Sequence, residues 1–202
     1  MSRIVIADKE FDLYLESVKI QQQIEIMAGR MNSELKSRNV IFIGVLNGAF
    51  MFAADLLKRI HIDVQISFMK VSSYRGTASG MNIKRLIGLN EELKGKTVVI
   101  LEDIIDTGKT IEDILFQLKG FRPLEIQIAT LLLKTAAYKG SAKIDYIGFE
   151  IPDRFVVGYG LDYFGFGRNL RNIYMLGEGE EAVTNEGEDK RPEDERLEEQ
   201  RT

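Results

Sequence analysis

Apolar residues recur every three or four positions through SVKIQQQIEIMAGRMNSEL, where Ile20, Ile24, Met27, Ala28, Met31 and Leu35 share one face of a predicted helix. Ser17 stands at its start as a capping residue. The pattern then changes. VIFIGV, from Val40 to Val45, is an unbroken apolar run, as are VVIL and IQIATLLL further along, and VQISFMKV and IDYIGFEI are strand-like too. Between the runs lie helical segments: AFMFAADLLKRI after the first, and a second in which Ile111, Ile114, Leu115 and Leu118 form the apolar stripe, stopped by Gly120 with Pro123 just beyond. Strands with no polar alternation, separated by helices, predict a parallel sheet covered on both faces. SSYRGTASG, rich in small polar residues and glycine, predicts a long loop.

Ligands in such sheets gather where the strands end at their carboxyl side. Those ends carry Leu46, Asn47 and Gly48, then Glu102 and Asp103, then Lys134, then the segment between Asp153 and Asp162. Taken singly each has a dull explanation: a turn glycine, a solvated lysine, a helix cap at Asp106. Together they surround one crevice with acids, amide-rich turns and a lysine.

Composition removes several kinds of chemistry. The 202 residues suit one domain with a sizeable core, and 45% of them are hydrophobic. With no cysteine there is neither a disulfide nor a thiol nucleophile, and the single histidine, His61, argues against a histidine-based triad or metal site. The opening MSRIVIADKEFDLY has no long apolar stretch of the secretory kind, and no run of about 18 apolar residues occurs, so a cytoplasmic protein is expected. Charge is uneven. Residues 178–202 hold 11 acids and 4 bases, so the formal total of −4 leaves the rest of the chain near +3. This acidic stretch is poor in hydrophobes and reads as a solvated, disordered tail, with the folded domain covering residues 1–176.

The densest chemistry lies in VVILEDIIDTGKT. Its Gly-Lys-Thr ending suggests a triphosphate-binding loop, but that motif needs a glycine where Asp103 stands. A different ligand fits better. Asp106, Thr107, Gly108, Lys109 and Thr110 join a strand to a helix, where free amides and threonine hydroxyls can meet a phosphate. Neighbouring carboxylates at Glu102 and Asp103 would repel a triphosphate but accept hydrogen bonds from two vicinal hydroxyls, and a divalent cation could share them. The implied ligand is a ribose carrying one phosphate.

VVILEDIIDTGKT is similar to the phosphoribosyl pyrophosphate (PRPP) motif of type I phosphoribosyltransferases. The order of VLNGAFMFAADL, SSYRGTASG, LLLKT and FEIPDRFVVGYGLDYFGFGRNLRNIYML resembles the hypoxanthine-guanine branch of that family, over residues 17–176. The resemblance implies an α/β fold with a central, mainly parallel sheet flanked by helices, a small hood and a mobile loop. It implies that Glu102 and Asp103 bind the ribose hydroxyls directly or through Mg2+, and that residues 106–110 hold the 5′-phosphate with Asp106 near N7 of the purine. Lys134 would donate to the 6-oxo group, Phe155 stack on the base, and Val156 line the base edge through its backbone. Asp162 would bind a second magnesium ion, and Leu46, Asn47, Gly48 and Arg168 the pyrophosphate. Ser73 and Tyr74 would belong to the loop that covers the site and keeps water from the reacting carbon.

The family's second pyrophosphate-turn residue is often lysine, and here it is Asn47, which leaves more of the anion binding to backbone amides. A cis peptide between Leu46 and Asn47 is expected from the way this family aims those amides. The resemblance implies a Mg2+-dependent purine salvage transferase that acts on 6-oxopurine and PRPP, and a homodimer or homotetramer. A xanthine- or guanine-preferring relative is the alternative within enzymes. A nucleotide-binding transcriptional regulator of the same fold is the alternative outside them, but the sequence offers no basic surface for nucleic acid, and no membrane partner is expected.

Overall fold

The computed structural model of the chain describes residues 2–75 and 82–177, without the side chains of residues 72–75 and 82–87. In chain order the elements are β1 (Arg3–Ile6), β2 (Lys9–Leu15), α1 (Ser17–Glu34), β3 (Val40–Leu46), α2 (Phe50–Leu57), β4 (Val64–Arg75) and β5 (Asn82–Ile87). They continue with β6 (Thr97–Ile105), α3 (Lys109–Lys119), β7 (Glu125–Lys134), β8 (Tyr146–Ile151), β9 (Val156–Val157) and β10 (Ile173–Leu176). Ile20–Asp153 forms one compact unit, and the segments on either side of it form another.

The larger unit is built on a sheet in the order β5-β4-β3-β6-β7-β8. All neighbours pair in parallel except β4 with β5, which are antiparallel. The unbroken apolar runs become its centre: every residue from Val40 through Val45 is buried, and so are the first six residues of β6 and the last eight of β7. Alternate residues of β3 serve opposite faces. Ile41, Ile43 and Val45 share a core with Ile111, Ile114 and Leu118 of α3, while Gly44 faces Ala53 of α2 and the ring of Phe68. Burying each large aliphatic side chain of α3 contributes roughly 1.5–3 kcal/mol, enough to hold a helix that would be marginal alone. Ile20, Ile24, Met27, Ala28 and Met31 are the buried stripe of α1, as their spacing predicts, and Leu35 is buried just beyond it.

Two expectations need correction. β4 is not covered on both faces: Ser67 and Met69 are buried, but Ile66 and Phe68, which alternate with them, are exposed, because packing reaches only one side near the sheet edge. The stretch read as a loop from Ser72 onward begins as strand, since residues 72–75 continue β4 and pair with β5. Its remaining residues, 76–80, lie outside the described residues. Gly120 stops α3 as expected, with φ −62°, and the left-handed residue just beyond it is Arg122 (φ 54°). His61 is an exposed residue ahead of β4 whose amide donates to Asn32 Oδ1.

The smaller unit is an antiparallel sheet, β1-β2-β10-β9. Phe11, Val157, Tyr163, Tyr174 and Leu176 form its core with Ile6. The Ser17 amide, at the head of α1, donates to Asn172 Oδ1 at 2.8 Å, which satisfies one helix-terminal N–H. Residues 178–202, the acidic tail of the sequence, lie outside the described residues.

Candidate active site

In the larger unit the parallel strands bring their carboxyl ends level. Ile105 lies opposite Leu133 and Lys134 opposite Ile151, so Asp106, Lys134 and Asp153 stand at or just past the ends of β6, β7 and β8, three neighbours in the sheet. On the other side of β6, the turn after β3 carries Leu46, Asn47 and Gly48. Its Leu46–Asn47 peptide bond is cis, as expected.

Gly48 is required there for space. Its φ is not among the positive ones, so the backbone would accept another residue, but a Cβ at this position would fall inside the Asp103 carboxylate. The turn and the acid are in direct apposition. Glu102 beside it is 6% exposed. Burial pushes the Glu102 carboxyl well above the usual range, and the charge of Asp103 and a hydrogen bond with it push the same way. Val45, Leu46, Gly48, Val71, Glu102, Asp103 and Thr110 line one cavity of about 290 Å³.

Thr110 belongs to the first turn of α3. Gly108 caps this helix with φ 90°, a left-handed conformation that suits glycine, and no side chain caps it. The Lys109 amide reaches only Thr107 Oγ1, at 3.5 Å. The opening amides are thus arranged as donors for an anion. Tyr138 supports the loop: a Cβ on Gly108 would stand 2.5 Å from its ring, and its hydroxyl donates to the Ala142 carbonyl at 2.6 Å. The Lys139 amide also donates to the Thr107 carbonyl at 3.2 Å.

Lys134 is 8% exposed, yet its ammonium is well partnered. It donates to Asp106 Oδ2 at 2.6 Å and to Asp153 Oδ1 at 3.1 Å. Asp106 and Lys134 came from the sequence as separate candidates, and here they form one ion pair. Asp153 was noted only as a segment boundary. Its position two residues past the last apolar residue of β8 is the one sequence signal that could have placed it at a strand end.

The remaining candidates belong to the smaller unit. The Phe155 ring lies 5.8 Å from that of Tyr163 at an edge-on 77°, and 6.4 Å from that of Phe11. Val156 is buried and pairs with Met175. Asp162 accepts from the Gly165 amide and from Arg168 Nη2, both at 2.6 Å, and Arg168 Nη1 donates to the Gly160 carbonyl at 2.7 Å. Two residues read from the sequence for different ligands, a metal and pyrophosphate, are thus bonded to each other. Ser73 and Tyr74 fall within β4, and their side chains lie outside the described residues.

The phosphoribosyl transferase domain family matches residues 12–163. The chain is 41% identical over 162 residues to a hypoxanthine phosphoribosyltransferase of Buchnera aphidicola, covering 80% of this chain and 88% of that one. It is 40% identical over 159 residues to the bifunctional protein TilS/HprT of Listeria innocua, a match to 78% of this chain that spans only 24% of that longer relative. Among solved structures, a hypoxanthine phosphoribosyltransferase from Staphylococcus aureus superposes with a TM-score of 0.76 at 35% identity, over 82% of this chain and 91% of the other.

Proposed function

The chain belongs to the phosphoribosyltransferase family, and we propose that it is a purine salvage transferase that joins hypoxanthine, and guanine, to PRPP and releases pyrophosphate. The observation that carries this is the single cavity in which the Glu102–Asp103 pair meets the Leu46–Gly48 turn and the start of α3. A diol acceptor, an anion turn and a phosphate cradle are what a ribose with a 5′-phosphate and a 1′-pyrophosphate needs.

In the proposed reaction the C1′–oxygen bond to pyrophosphate breaks with its electron pair on the leaving group. The purine N9 bonds to C1′ from the opposite face. Asp106 accepts or shares the purine N–H proton, and its charge also stabilises the cation developing on base and sugar. Lys134 donates to the 6-oxo oxygen and thereby disfavours a 6-amino group, which would set donor against donor. Phe155 and Val156 serve the base, residues 106–110 the 5′-phosphate, and Leu46, Asn47, Gly48 and Arg168 the pyrophosphate, with Ser73 and Tyr74 in the covering segment.

Glu102 and Asp103 fit a divalent cation of the magnesium type. Among the described residues no group of three or more acids or histidines surrounds a common point, and Mg2+ is commonly held by one or two carboxylates, with waters and substrate phosphates completing its shell. Positive charge there would also offset the burial and the neighbouring Asp103 charge that raise the Glu102 carboxyl. Such an ion supplies Lewis-acid neutralisation of the departing pyrophosphate. Asp162 suits a second cation less well, because Arg168 and the Gly165 amide already hold its carboxylate.

No described helix is long and apolar enough to cross a membrane. A cytoplasmic location and assembly as a homodimer or homotetramer complete the proposal. Chromatography of nucleotide and pyrophosphate formed from PRPP with hypoxanthine, guanine, xanthine or adenine, with and without Mg2+, tests it. Stoichiometric IMP and pyrophosphate from hypoxanthine are expected, and absence of both products refutes the assignment.

A further inference from the structure

Lys134 is a nearly buried ammonium gripped from two sides by acids that are themselves open: the Asp106 and Asp153 side chains are 48% and 59% exposed. Strand register produces this arrangement. β7 runs between β6 and β8, so the side chain that ends β7 is flanked by whatever follows its two neighbours. Among the described residues, Lys134 is the one side-chain partner that Asp106 and Asp153 each have.

An ammonium has three N–H donors. Two are used here, and the third remains for a ligand. If Asp153 were neutral, the flexible lysine stem would let the ammonium settle wholly on Asp106, whose bond is already the shorter of the two. That would turn the free N–H away and leave the Asp106 carboxylate more fully engaged. Two opposed carboxylates instead fix the nitrogen between them.

We infer that Asp153 is a positioning residue for the transfer reaction: it holds the Lys134 ammonium off full engagement with Asp106, keeping one N–H for the purine 6-oxo oxygen and Asp106 available to the purine N–H. This rests on the 6-oxopurine transfer proposed above. Because Asp153 is exposed, removal of its charge should leave the fold intact, as for most exposed ion pairs.

The test is a double-mutant cycle on the full chain with Asp153→Asn, Lys134→Ala and the pair, measuring kcat and both KM values with hypoxanthine and PRPP, and thermal melting. Asp153→Asn is expected to lower kcat/KM for hypoxanthine roughly tenfold, the scale of one charge-assisted hydrogen bond. KM for PRPP should stay within about twofold, since the PRPP-facing acids are untouched. In the Lys134→Ala background Asp153→Asn should cause no further loss, and Asp153→Glu should recover part of the single-variant loss. Additive losses in the cycle, a wild-type kcat/KM in Asp153→Asn, or a loss confined to PRPP overturns the inference. If the wild-type chain forms no nucleotide from hypoxanthine, the parent assignment falls and this one with it. If wild type is active and Lys134→Ala impairs it while Asp153→Asn does not, the positioning role alone is refuted.

Discussion

Gly48→Ala introduces a single methyl group, and its effect can be worked out from one contact. The glycine is not in a left-handed conformation, so alanine brings no backbone strain. The new Cβ would coincide with the Asp103 carboxylate, and its nearest atoms are all in that group. Either the carboxylate rotates away or the turn withdraws. Displacing it removes a charged acceptor from the proposed ribose and cation site, a loss of about 1.5–3 kcal/mol for a hydrogen bond to a charged group. That corresponds to a fall of roughly 10- to 150-fold in kcat/KM for PRPP. Overpacking should lower stability by about 1–3 kcal/mol. Steady-state kinetics with PRPP varied at saturating hypoxanthine, together with thermal melting, measure both. The cause is isolated by repeating the substitution in an Asp103→Ala background, where the methyl meets no carboxylate and little further loss is expected. If Gly48→Ala matches wild type in both KM for PRPP and kcat, close apposition of turn and acid has no bearing on function. Gly48→Val, larger still, should abolish turnover.

Asp106→Asn should keep the fold and phosphate binding but lower kcat by about 100-fold or more, in the range of general-base and electrostatic roles; near-normal kcat with hypoxanthine removes Asp106 from the chemistry. Lys134→Ala should raise KM for hypoxanthine and guanine and narrow the preference over adenine, and unchanged selectivity among the purines would contradict its assignment. Tyr138→Ala leaves a hole beside Gly108 and frees the loop that carries Thr107. A stability loss of about 1–3 kcal/mol, below that of a fully buried aromatic, is expected with a raised KM for PRPP and little change in KM for hypoxanthine. Equal shifts in both constants would argue against a local role in the phosphate cradle.

Much of the larger unit was legible in the chain because its signals are local. β3, β6 and β7 are buried on both faces, so they appear as unbroken apolar runs, and the stripes of α1 and α3 repeat at the helical period within a few turns. Glu102, Asp103 and residues 106–110 were readable for the same reason: the chemistry is contiguous, joined across one strand-to-helix turn. The small sheet was not. β9 has two residues and β1 and β10 four each, too few to establish a period. β2 finds β10 across most of the chain's length, with Leu15 opposite Ile173. Nor does the run VQISFMKV announce that β4 leaves Ile66 and Phe68 exposed on one face.

Residue identity, then, settled which groups stand at strand ends, because the alternation of apolar strands and helices determines where those ends fall. Which of them touch was decided by tertiary structure alone. Gly48 meets Asp103 because β3 and β6 are neighbours, and Lys134 meets both Asp106 and Asp153 because parallel register sets three strand ends side by side. Pairing of strands is set by packing between segments distant along the chain, so no local pattern carries it.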